Sequence, residues 1–227
     1  MTLAVMLMLA TATYSYSQVG GAKNETSASA GTESGSQKGP ANAQAESYEA
    51  SREHLQRARE SLRQAKDEAE QGLQKQLQRA QEQLDALSKR LEEAATSAKT
   101  TALATARKME QEISLRARRM EARALLLAAR AKTSLAVREA AKNNFARADK
   151  NLADATDLLR RARAALVDDH TYDYELDDMK VALADATKAI KAHAEDARQK
   201  IEKAATQAEL LVSSLEVNEQ KAYIEGR

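Results

Sequence analysis

The chain has 227 residues, with Lys and Arg numbering 35 against 34 Asp and Glu, and a formal net charge of +1. That balance gives no global field to hold nucleic acid or an anionic membrane. Hydrophobic residues make up 43% and aromatics only 3%, so a thick globular core of bulky side chains is excluded and narrow layers of alanine and leucine are favoured. Cysteine is absent, which excludes disulfides, thiolate metal sites and thiol catalysis.

The first residues, MTLAVMLMLATATYSYSQ, carry a short apolar run, Leu3 to Ala10, too short to span a bilayer. Small residues follow and end at Ser15-Tyr16-Ser17, so residues 1–17 read as a secretory signal peptide. Residues 18–42 are rich in Gly, Ser and Thr without periodicity and read as a flexible tail. That tail holds the only N-x-[ST] sequon, at Asn24, a glycan acceptor in a secreted chain.

From Tyr48 onward the pattern is helical. Gly 7 and Pro 1 agree with long helices, whose interiors exclude both. Tyr48, Leu55, Leu62 and Ala69 step by seven; after Gly72 the phase moves by four and continues through Leu73, Leu77, Ala80, Leu84, Leu87, Leu91 and Ala94. This predicts one helix over 43–97 with a stutter. The Ser/Thr-rich segment 94–105 predicts a turn. A second helix is expected over 101–167, with Asn143-Asn144 marking a kink or break, and a third over 174–221, with His193 at a core edge. The expected fold is all-α: an elongated antiparallel three-helix bundle, coiled-coil-like, up-down-up, over 43–222. Residues 223–227 read as a tail or scar, the final IEGR matching the recognition sequence of factor Xa.

Two stretches stand out chemically. LVDDHTYDYELDDMK, 166–180, gathers acids, a histidine and two tyrosines. It lacks the glycine and ligand spacing of an EF-hand, so its acids read as a turn: Asp173, Glu175, Asp177 and Asp178 favour a helix start and Arg160, Arg161 and Arg163 a helix end. Within it, Asp169, His170, Tyr172, Asp173 and Tyr174 form the candidate tip for a protein ligand, with the tyrosines either anchoring a partner or plugging the bundle end. SLRARRMEARALLLAARAK, 114–132, is basic and amphipathic. It reads as a bundle helix with a charged outer face, in preference to a membrane or partner helix.

His54, His170 and His193 are scattered, and no HExxH, glycine-rich phosphate loop or GxSxG elbow occurs. No enzyme chemistry, cofactor or metal is therefore expected. Secretory entry, absent cysteine, alanine and glutamate richness and three long helices together resemble the alanine-rich surface glycoproteins of trypanosomes, the Glu/Ala-rich coat protein type. The resemblance rests on composition and helix layout over 43–222. It implies a dense surface coat attached by a C-terminal glycolipid, although no hydrophobic C-terminal tail stands in this sequence. The expectation is a non-enzymatic coat or spacer at the cell surface or secreted, monomeric or weakly self-associating. The alternatives are a receptor binding a protein at a membrane-distal tip, and a periplasmic or secreted oligomeric coiled-coil scaffold. An up-down-up bundle tethered at its C-terminus would point the 168–174 turn away from the membrane.

Overall fold

The computed structural model describes residues 40–69, 71–97 and 103–225, with side chains over 45–69, 71–97 and 105–217. The expected signal peptide, the tail through residue 39 with Asn24, the connection at 98–102 and residues 226–227 lie outside the described residues. Among the described residues six α-helices follow one another: α1 (Pro40–Glu68), α2 (Gln71–Ser97), α3 (Leu103–Ala141), α4 (Phe145–Ala165), α5 (Asp173–Lys191) and α6 (Ala197–Glu225), with one 3-10 turn, His170–Tyr172, before α5. The fold is all-α, and its packing is that of a bundle.

Three expected rods are therefore each broken once. The first breaks at Ala69, where the phase shift at Gly72 marks a hairpin and not a stutter. The Gln74 side chain donates to the carbonyls of Lys66 and Ala69, at 3.4 and 3.3 Å, covering the open end of α1. Arg59 then reaches Asp85 and Ser88 at 3.2 and 3.1 Å, so α2 runs back along α1. The tail also ends earlier than expected: α1 starts at Pro40, and proline suits a first helical position because its missing N–H has no partner there. At the other terminus, residues 223–225 belong to α6 and not to a tail.

The second and third breaks share one mechanism. Asn143 and His193 adopt φ of 57° and 50°. In each case the next residue's N–H bonds back to a carbonyl five residues earlier, Asn144 to Glu139 at 2.8 Å and Ala194 to Ala189 at 3.0 Å. The left-handed residue itself bonds three back, Asn143 to Ala140 at 2.9 Å and His193 to Ile190 at 3.0 Å. These are Schellman endings, which ordinarily use glycine because a left-handed residue with a Cβ is strained. Asn144 then caps α4, its side chain accepting from the Arg147 N–H at 3.4 Å. His193 thus sits in an exposed turn and not at a core edge.

Cross-helix pairs give the directions. Arg57–Glu121 and Glu68–Lys132 advance together, so α1 and α3 are parallel. Gln83–Arg123 and Gln76–Arg130 run oppositely, as do Asp168–Arg118 and Asp154–Lys132, and Glu216–Arg123 and Glu209–Arg130. Helices α2, α4 and α6 are each antiparallel to α3, and all four of α1, α2, α4 and α6 pack on it. Helix α5 closes the group between α4 and α6.

This makes α3 the axle, and the sequence shows why it can be. Every residue from Met120 to Ala129 is buried. A helix apolar on one stripe faces a core on one side; one enclosed all round needs small or apolar residues on every face. The stretch supplies Ala122, Ala124, Ala128 and Ala129 around Leu125, Leu126 and Leu127, and alanine lets neighbouring axes approach to about 8–10 Å. The basic stretch 114–132 is thus enclosed at its centre and does not present the charged outer face expected of it.

Candidate functional site

The acidic turn 166–174 and the basic stretch on α3 pair with each other. Arg118 contacts Asp168, and Arg119 Nε donates to Asp169 at 2.7 Å. Asp169 is buried; it also accepts from the N–H of Thr171 at 3.3 Å and from its hydroxyl at 2.6 Å, capping the 3-10 turn. Burial alone would raise its pKa, but the bonds from Arg119 and Thr171 outweigh that and hold it below the ordinary carboxylate value. On the far side of the turn, Arg163 of α4 joins Asp177 and lies 3.9 Å from Asp173 of α5. Its hydrogen bond and charge interaction with Asp177 raise the Arg163 pKa and lower that of Asp177.

The five residues of the expected tip separate accordingly. Asp169 is a structural cap. Tyr172 is 1% exposed and belongs to the core, where it seals the bundle beneath the turn. His170 is exposed, with Nδ1 2.9 Å from a carboxylate oxygen of the half-buried Asp173. Tyr174 is likewise presented to solvent, 76% exposed, on the outer face of α5. The carboxylates go to different partners and do not converge; among the described residues no three of His, Asp and Glu gather as a metal-binding group.

The expected orientation of this turn is overturned. Ser214 of α6 donates to Glu175 of α5 at 3.3 Å, and Glu216 of α6 pairs with Arg123 of α3 at 3.6 Å, five residues beyond the Arg118–Asp168 contact. The C-terminal part of α6 and the 166–172 turn therefore share one end of the bundle. The Ala69, Asn143 and His193 turns share the other. An up-down-up chain of three rods would separate the turn from the C-terminus; six shorter helices bring them together.

Sequence reasoning missed a second polar system. Arg123 is fully buried where α2, α3 and α6 meet, donating to Gln83 and lying 3.6 Å from Glu216. One heptad on, Arg130 donates to Gln76 and, at 2.8 Å, to Glu209. Glu216 also takes Arg79 of α2 at 3.2 Å. Across the axle, the buried Glu121 takes both His54 and Arg57 of α1, the latter at 2.7 Å. The hydrogen bond that Arg57 donates to Glu121 is the largest influence raising the Arg57 pKa and exceeds the opposing effect of burial. Lys132 joins Glu68 of α1 at 2.6 Å and Asp154 of α4 at 3.3 Å; burial works against its charge, and the two carboxylates overcome it. The available signal was the seven-residue repeat of Arg116, Arg123 and Arg130 on α3 beside that of Glu209 and Glu216 on α6.

What these contacts define is an all-α helical bundle whose polar groups bind helix to helix. Comparison with known proteins yields no match: no family model, no curated protein and no solved structure aligns significantly with the chain.

Proposed function

We propose that this chain is a non-enzymatic structural protein, a coat or spacer displayed outside the cytoplasm. The observation that carries the reading is the fate of the charged stretches singled out by sequence. The acid turn and the basic helix neutralise each other across α3, α4 and α5, so their chemistry is used in holding the bundle. Leu and Ala seams with paired polar contacts on both sides of α3 favour a stiff element that sets distance. Among the described residues no helix is long and apolar enough to cross a membrane. Display therefore rests on the secretory reading of residues 1–17, with attachment by a C-terminal anchor as the resemblance implies.

A tether at the C-terminus would turn the 166–174 segment toward the membrane and present the Ala69, Asn143 and His193 turns outward. That geometry favours the spacer over a receptor using Tyr172 and Tyr174 as a distal tip. The test is expression of the complete chain in a secretory eukaryotic host. The reading predicts export, a new N-terminus at Gln18, and a mass shift on glycosidase treatment that Asn24→Gln abolishes. Cytosolic retention with residues 1–17 intact would overturn it.

A further inference from the structure

We propose that two copies of this chain exchange their last helix: α5 and α6 straighten into one helix through residues 192–196, and each α6 takes the place of its counterpart in the other copy. The inference is independent of the compartment proposed above. Residues 191–197 read KAHAEDA, without glycine or proline, and Ala, Lys and Glu are good helix formers. The hairpin bends there by holding His193 at φ of 50°, a strained conformation for a residue with a Cβ. The other left-handed turn is better suited to stay closed: Asn143 tolerates that conformation, and Asn144 caps the helix that follows.

The apolar pattern runs straight through the break. Leu176, Leu183, Ile190, Ala197, Ala204 and Leu211 are all buried, and they step by seven across it. On one continuous helix they would stay within an arc of about 100°, so a single stripe would face the core along the whole length. A hairpin requires no such agreement, because its turn sets the phase of the second helix afresh. The segment is thus patterned for two forms that bury the same residues, and the strained turn opposes only one of them.

The turn also stands where exchange is sterically open. Glu209 pairs with Arg130, and α6 begins about twelve residues, or ~18 Å, before Glu209, level with the end of α3 at Ala141. Between two bundles meeting end to end, the stretch from Lys191 to Ala197 would span about 9 Å of helix, comparable to the spacing of packed helices. The Ala69 turn lacks that freedom. Glu68 pairs with Lys132, about 13 Å short of Ala141, so a straight helix there would drive one bundle into the other. A two-fold axis at 192–196 re-makes each α6 contact between chains: Glu216 with Arg123, Glu209 with Arg130 and Ser214 with Glu175, every one formed twice. Charges therefore match as they do within one chain, and both His193 residues leave the left-handed region. Dilution favours the hairpin and concentration the exchange.

The test refolds the full chain from urea at ~5 and ~500 µM and separates the products by sedimentation velocity. The expected result is the 24.8 kDa monomer at the lower concentration and a species of twice that mass at the higher. His193→Gly relieves the hairpin and weakens the continuous helix, so it should lower the association constant at least about tenfold. His193→Ala keeps the strain and favours the helix, so it should raise the constant about threefold or more. Val181→Cys with Leu210→Cys puts spin labels on exposed neighbours in the hairpin; refolding with about tenfold excess unlabelled chain leaves only distances within one chain. The dimer should give a distance near 43 Å, the length of unbroken helix between the labels, and the monomer one below about 25 Å. A chain still monomeric after refolding at ~500 µM overturns the proposal. So does a dimer whose diluted labels stay close, which would be a surface contact, or one whose constant glycine at 193 leaves unmoved.

Discussion

Replacing His193 by glycine should stabilise the protein. His193 holds φ of 50°, where a Cβ crowds the following carbonyl at a cost of about 1–2 kcal/mol. Its side chain is exposed, so truncation removes no packing. Glycine takes that conformation freely but loses more entropy on folding, about 0.5–1 kcal/mol relative to alanine. The difference leaves a net gain of about 0.5–1 kcal/mol, or about 1–4 °C in Tm for a chain of this size. Differential scanning calorimetry of the wild type, His193→Gly and His193→Val should rank them Gly above His above Val, since a β-branched residue tolerates positive φ least. An unbroken helix through 193 predicts the opposite sign, because glycine inside a helix costs up to about 1 kcal/mol. A lower Tm for the glycine variant would therefore refute the Schellman ending between α5 and α6.

Gly72→Ala should stabilise by about 0.5–1 kcal/mol in urea titration, because its Cβ would meet nothing within 4 Å and no glycine among the described residues has positive φ. Arg123→Ala should cost about 3–5 kcal/mol by the same assay, since it strips a fully buried cation from Gln83 and Glu216; the Arg79 contact left to Glu216 places the expectation near the lower figure. For Asp169 the folded pKa lies below the unfolded value of 3.8, so its stabilisation is present above 3.8 and fades as pH falls further through the folded value. Melts at pH ~5 down to ~2 should show a flatter acid limb for Asp169→Asn than for the wild type.

The apolar seam was readable because its chemistry is local. Leu55, Leu62, Leu73, Leu77, Leu84 and Leu91 all sit in the core where heptad spacing puts them. The breaks were harder to read. At Ala69 the turn has no proline, and Gly72 lies inside the next helix. At 193 a histidine occupies the place where glycine would have announced the end of a helix. Asn143-Asn144 was legible as a break because asparagine tolerates left-handed backbone and caps helices. Without the breaks, Asp169 and Tyr172 read as an exposed tip; with them, Arg119 and the bundle core cover both. Enclosure of α3 could not be read from one helix alone, since it depends on four others arriving on different sides.

The fold-back of α2 on α1 separates six short helices from three long rods, and the absence of cysteine allows it to be measured with two introduced labels. Spin labels at Arg59→Cys and Asp85→Cys, read by double electron–electron resonance, report the distance directly. Adjacent antiparallel helices place these backbones about 10 Å apart, which keeps the labels within about 25 Å allowing for their linkers. A single dominant short distance is the predicted result. A distribution centred near 39 Å, the length of a continuous helix between the two positions at about 1.5 Å per residue, would contradict it.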